Sequence, residues 1–160
     1  MEHALHVEEI EAAAANVDSA PVSKVNAFTR QLDDLPVEGG TDPVYGDVTW
    51  RTLISADRTP SADFLLGVAE FPAHGVLNLH RHAPPEFYLC TAGSGVVTID
   101  GVENHVTAGT AVFIPGNAEH GVKAGADGLT FAYGFAQNAF SDIEYVFSNP
   151  DNVVPMVAAE

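Results

Sequence analysis

From residue 44 to residue 148 the sequence predicts an all-β sandwich or barrel, and three observations carry that prediction. Short runs rich in β-branched and aromatic residues recur about every eight to twelve residues. Glycine, proline, aspartate or asparagine separates the runs, with Asp100-Gly101 placed as a two-residue hairpin turn. The segment before residue 44 lacks this pattern, and its opening, rich in alanine and glutamate, predicts helix instead. At 160 residues the chain is one domain's worth and long enough to bury a core. The reading therefore has a helical extension and linker over 1–43, a single barrel over 44–148 and an irregular tail over 149–160.

Residues 1–17 place Leu5, Ile10 and Ala13 or Ala14 loosely at helical spacing, so a short first helix is expected up to the break at Ser19-Ala20-Pro21. A second helix is expected over 22–32, where Val25, Phe28, Thr29 and Leu32 form an apolar face. Asp33-Asp34-Leu35-Pro36 stops it, and 38–43, with Gly39-Gly40 at its centre, reads as a linker. His3 and His6 stand three apart on the first helix; nothing near them completes a metal site, so they read as solvent-facing. Strands are expected at 48–54, 64–71, 76–82 and 86–91, after which Gly93-Ser94-Gly95 turns into 96–99. Beyond Asp100-Gly101 come strands at 103–106, 111–114, 121–124, 129–135 and 143–147. Within 129–135 large and small residues alternate, so that one face fills a barrel.

Charge excludes several classes of function. With Lys+Arg 6 against Asp+Glu 22, the formal charge of -16 repels phosphate backbones and anionic lipid, so neither nucleic acid nor membrane is an expected partner. Cys90 is the single cysteine, which rules out an intrachain disulfide and suits a reducing, cytoplasmic setting. No apolar run approaches the roughly 20 residues that span a bilayer, and the start lacks a basic region followed by an apolar one. A soluble cytoplasmic protein acting on a small molecule is expected, with a homodimer as its assembly.

The chemistry is concentrated between Leu79 and Leu89. His80 and His82 stand one residue apart, so in a strand they point the same way; after Pro84-Pro85, Glu86 and Tyr88 share a face as well. Imidazole nitrogen and carboxylate oxygen suit first-row divalent cations, and His120, after the turn Pro115-Gly116-Asn117, is the candidate fourth ligand. Three nitrogens and one oxygen suit Fe(II), Mn(II), Ni(II), Co(II) or Zn(II). The competing account, a buried cluster satisfied by hydrogen bonds alone, would strip hydration from a carboxylate and several imidazoles, a loss that a bound cation offsets. His74 and His105 fall outside the ligand pattern: His74 is placed at the rim and His105 in solvent. Tyr88 is either a packed core tyrosine or a base. A phenol with a pKa of about 10 must be pushed downward to act as a base, and a nearby dication does so. Trp50, Phe131, Tyr133 and Phe135 are candidates for the pocket wall, or else plain core.

Two stretches resemble known motifs. His80, His82, Glu86 and Gly93, within the run from His74 to Gly93, resemble the first cupin motif; Gly109, Pro115 and His120 resemble the second. Three positions depart: the opening glycine is displaced to Gly75, Asn117 stands where glycine is usual, and Ala124 replaces a terminal asparagine. None is a ligand, and Asn tolerates the positive φ of the turn. The resemblance implies a single-domain cupin, a double-stranded β-helix or jelly-roll barrel, with His80, His82, Glu86 and His120 on the metal. The ExY that follows HxH, the single barrel and the helical lead-in resemble the metal-dependent dimethylsulfoniopropionate lyases. That likeness implies Fe(II) before Mn(II), Tyr88 as the base, and β-elimination to dimethyl sulfide and acrylate. The same ligands leave two other classes open, a non-haem Fe(II) dioxygenase acting on a small organic substrate and a non-catalytic, metal-dependent ligand-binding cupin.

Overall fold

Side-chain alternation along the strands decides the architecture. In the computed structural model, which describes residues 25–148, the strands are β1 (Glu38–Asp42), β2 (Gly46–Ile54), β3 (Leu65–Phe71), β4 (Val76–Arg81), β5 (Glu86–Ile99), β6 (Val102–Thr107), β7 (Ala111–Ile114), β8 (His120–Phe135) and β9 (Val146–Phe147). In β3 every second residue, Leu65, Gly67, Ala69 and Phe71, is buried and the residues between are half-buried. That period of two is what a strand with one face on a core produces. All neighbouring strands run antiparallel, in the order β6-β5-β8-β3-β2-β4-β9, with β1 added to β2 and β7 to β5. Because β8 pairs with β3 along one half and with β4 along the other, and β4 also meets β2, the sheet closes on itself. Closure removes most free edges and leaves an interior for side chains to fill. Leu65, Val97, Ile114, Leu129, Phe131 and Phe135 fill it.

The all-β barrel agrees with the sequence reading, and four local expectations are corrected. The first expected helix lies outside the described residues. Of the second, residues 25–31 carry no helix; Gln31 is extended and only Leu32–Asp34 makes a single 3-10 turn. Val25 and Phe28 are exposed, so the expected apolar face is not buried, and short helices depend on such burial. The stretch 38–43, read as a linker, holds β1, which pairs with β2 from Glu38↔Trp50 to Asp42↔Gly46. Two pairs of expected strands are each one continuous strand. β5 passes through Gly93-Ser94-Gly95 as a bulged strand instead of turning, and β8 unites 121–124 with 129–135. Of the strand expected over 143–147, Val146 and Phe147 pair, with β4, after a 3-10 turn at Phe140–Asp142. Among the described residues no helix is long and apolar enough to cross a membrane.

Candidate metal centre

Three strands converge to build the site. His80 lies in β4 and is the register partner of His120, the first residue of β8. Glu86 opens β5 and pairs with Ile114 on one side and Phe135 on the other. His82 sits between β4 and β5, where the Asn117 backbone N–H donates to its carbonyl at 2.8 Å. Asn117 has φ 63°, the left-handed conformation the turn was expected to need, so the asparagine serves where glycine is usual.

All four side chains are at least nine-tenths buried: His80 is 1% exposed, His82 2%, Glu86 5% and His120 0%. One ring nitrogen from each histidine lies within 4.8 Å of the others. Glu86 Oε2 is 3.3 Å from His82 Nε2 and 3.3 Å from His120 Nε2. Each imidazole uses its other nitrogen on a backbone carbonyl: His80 Nδ1 on Asn78 at 2.8 Å, His82 Nδ1 on Pro84 at 2.9 Å, His120 Nδ1 on Ala118 at 2.9 Å. A carbonyl only accepts, so each Nδ1 carries the proton and each Nε2 of a neutral ring presents a bare lone pair. Among the described residues His120 Nε2 has no hydrogen-bond partner at all. His82 Nε2 could donate to Glu86 only as an imidazolium, with both nitrogens protonated. Positive charge is thus wanted where the lone pairs of His82 and His120 face the carboxylate, and a divalent cation would supply it. Ligand atoms sharing one ion at bonds of about 2.1 Å lie about 3.0–3.4 Å apart, a spacing that both contacts with Glu86 match. The residues fit a metal.

The electrostatics agree. Burial, followed by the neighbouring His120, pushes His80 down from 6.5 to about 3, so this imidazole is neutral and ready to ligate. Burial alone would raise the Glu86 carboxyl, but the His120 and His82 rings set against it outweigh burial and hold the group below its ordinary value. Tyr88, 1% exposed, shares the Glu86 face as expected and stacks on Phe131 at 4.0 Å. Burial pushes its phenol well above 10, and the charge and hydrogen bonding of Glu86 add to the rise. The protein alone therefore keeps Tyr88 protonated, and only a cation beside it can reverse the direction.

A cavity opens onto these groups. His80, Glu86, Tyr88 and the expected wall residues Trp50, Phe131 and Tyr133 line it. Phe135 packs on His82 at 5.0 Å. His74 and His105 are both exposed, away from the centre. The sequence reading missed Tyr45, Phe140, Tyr145 and Phe147, which also line the cavity. For the last three the signal was the density of aromatics over 140–147, yet only the fold brings that segment and Tyr45 to the cavity. No lysine or arginine is among the lining residues described. Arg51 is held by Glu70 at 3.0 Å and Arg58 by Glu38 at 2.6 Å. Two buried donors in the wall, Trp50 Nε1 and Tyr133 Oη, have no hydrogen-bond partner among the described residues.

Comparison with known proteins places this geometry in context. Residues 67–131 match the cupin-domain family model. The chain is 55% identical over 116 residues, 72% of its own length and 76% of the relative's, to the dimethylsulfoniopropionate lyase DddW of Ruegeria pomeroyi. Among solved structures it superimposes on the polyketide cyclase RemF from Streptomyces resistomycificus with a TM-score of 0.65 and 22% identity, covering 79% of this chain and 89% of that one. A mutant of the Bacillus subtilis oxalate decarboxylase OxdC gives 0.64 and 20%, covering 76% of this chain and 32% of the decarboxylase, about a third of its length. These structural likenesses establish the barrel.

Proposed function

The chain belongs to the cupin family of dimethylsulfoniopropionate lyases, and from that premise we propose that it cleaves dimethylsulfoniopropionate into dimethyl sulfide and acrylate. The observation that carries this reading is the group of three buried imidazoles with ring nitrogens within 4.8 Å of one another, with Glu86 3.3 Å from two of them and a buried phenol beside it. In this reading His80, His82, Glu86 and His120 hold the cation, with Fe(II) preferred and Mn(II), Ni(II), Co(II) or Zn(II) suited to the same donors. When bound, such an ion supplies positive charge that steadies carboxylate oxygens as negative charge builds on them and that favours a nearby phenolate.

The remaining steps belong to the chain's own residues. Tyr133 Oη, which lacks a partner among the described residues, is a donor that a bound carboxylate would satisfy. With no cationic side chain in the wall, the carboxylate is drawn toward the ligand cluster. Tyr88 oxygen takes the proton from the carbon next to the carboxylate. The electron pair of that C–H bond becomes the second bond of the alkene, the C–S bond breaks, and its electrons leave on sulfur as neutral dimethyl sulfide. Phe131, stacked on the Tyr88 ring, holds it in place and keeps water away. A cytoplasmic location agrees with Cys90 being buried and free.

Metal-loaded protein incubated with dimethylsulfoniopropionate should release dimethyl sulfide into the headspace without consuming O₂. Tyr88→Phe should lose that release by about a thousandfold or more while keeping its metal content, since general-base catalysis is worth about 10²–10⁴-fold and the phenol is the only base assigned. A Phe variant that still releases dimethyl sulfide at the parent rate would remove Tyr88 from the role. Oxygen uptake coupled to turnover would point instead to the dioxygenase class.

A further inference from the structure

The outer end of the cavity has a composition the reaction above does not account for. Tyr45, Trp50, Phe140 and Tyr145 all line it and are all half-buried, whereas Glu86, Tyr88, Phe131 and Tyr133 behind them are buried. The four form an unbroken chain of ring contacts. Tyr45 meets Trp50 edge-on at 5.7 Å and 74°, Trp50 stacks with Phe140 at 6.3 Å and 27°, and Phe140 meets Tyr145 at 5.9 Å and 36°. Tyr145 then reaches the ligand cluster, 5.4 Å from the His80 ring and 5.3 Å from that of His82.

This arrangement is built rather than incidental. Phe140 stands on the segment after β8, and that segment is pinned at three points to the loop after β2. The Phe140 N–H donates to Ser55 Oγ at 2.9 Å, the Ala56 N–H to the Asn138 carbonyl at 2.8 Å, and the Asp63 N–H to Asn138 Oδ1 at 2.8 Å. Ser55 is 0% exposed. Ring faces carry negative potential, and a cation within about 6 Å of a ring centroid is held by it, most strongly when desolvated. The lining adds no lysine or arginine to repel such a cation, and the formal charge of -16 draws cations toward the protein.

We propose that Tyr45, Trp50, Phe140 and Tyr145 form a cage for an onium head group, so that the site selects short zwitterions carrying a sulfonium or quaternary ammonium at one end and a carboxylate at the other. The head sits among the rings and the carboxylate reaches inward to the ligand cluster beyond Tyr145. For the sulfonium substrate the leaving group then occupies the outer end, where dimethyl sulfide can depart without passing the metal ligands. A quaternary ammonium of the same length binds in the same place and is an inhibitor. The choice of substrate rests on the reaction proposed above; the binding of an onium head does not.

Trp50 is the one tryptophan of the chain, so its fluorescence reports the cage directly. Titration of the purified full-length protein with 3-(trimethylammonio)propanoate should change that fluorescence saturably. The neutral isostere 4,4-dimethylpentanoate, alike in shape but uncharged at the head, should bind roughly tenfold or more weakly. Phe140→Leu should erase most of that preference and Phe140→Tyr should retain it. Equal binding of the two probes by the parent protein would overturn the cage, and that result needs no variant to fold. Release of dimethyl sulfide without any preference for the ammonium probe would sink the cage and spare the reaction. A clear preference without release of dimethyl sulfide would do the reverse.

Discussion

The three imidazoles owe their orientation to carbonyls two residues away, those of Asn78, Pro84 and Ala118, which fix each Nδ1 proton and leave each Nε2 free, those of His82 and His120 beside Glu86. The same burial gives His80 a measurable signature in protein stripped of metal. Folded, His80 resists protonation until about pH 3, whereas in the unfolded chain it takes a proton near its ordinary 6.5. Between those values the unfolded state binds more protons, so stability falls as pH falls through that window and is fully present above it. At about pH 5 the loss is about 2 kcal/mol, read as a lower thermal midpoint than at about pH 7.5. His80→Gln should flatten that dependence, and identical parent midpoints at the two pH values would show that the ring is not held neutral. His80, His82, Glu86 and Tyr88 were legible in the sequence because a strand turns residues of like parity the same way. His120 needed a second motif to be found. Tyr45, Phe140 and Tyr145 were not legible, since each stands in a connecting segment whose place over the cavity is decided by long-range pairing.

Two long strands, β5 and β8, make the largest element contact, from Glu86↔Phe135 to Ile99↔His120, and both bend at the same level. The bend rests on Gly93, whose φ is +73° and whose absent Cβ would lie 2.2 Å from the Gly128 carbonyl oxygen. Replacing it sets a side chain against backbone in a conformation L-residues avoid. Gly93→Ala should therefore cost about 3 kcal/mol or more, seen as a lower urea midpoint with little change in slope. A variant as stable as the parent would mean that the two strands can separate locally at little cost. This glycine also explains why strand boundaries were misread while strand positions were not. The alternation in 48–54, 65–71 and 129–135 is a local signal that survives into the fold. A Gly-Ser-Gly run has the same local preference whether the chain reverses or bulges on, and only the partner strand decides. Similarly, Gly39 and Gly40 looked like a linker because their pairing with β2 is invisible from their own composition.

At the scale of the whole molecule the barrel closes through β8, and the proposed ligands come from that strand, from β4, from the start of β5 and from the turn between β4 and β5. An ion held by all of them links segments up to 40 residues apart, His80 to His120, and being bound only by the folded state it stabilises by mass action. At a hundredfold excess over its dissociation constant the gain is about 2.7 kcal/mol, or roughly 5–10 °C in the midpoint of a chain this size. Removal by a chelator should reverse it. The formal charge of -16 offers a competing explanation for any such shift, because an acidic surface also gathers divalent ions and relaxes when its self-repulsion is reduced. Salt separates the two. Exposed charges are screened over about 3–4 Å at 0.5–1 M salt, while four buried ligands are screened far less. In about 0.5 M NaCl the metal-free protein should melt higher than in dilute buffer, as surface repulsion is relieved. The difference between metal-loaded and metal-free protein should persist in salt and should vanish in Glu86→Gln. A difference that disappears in salt in the parent protein would place the stabilising ions on the surface and leave the buried cluster without its proposed occupant.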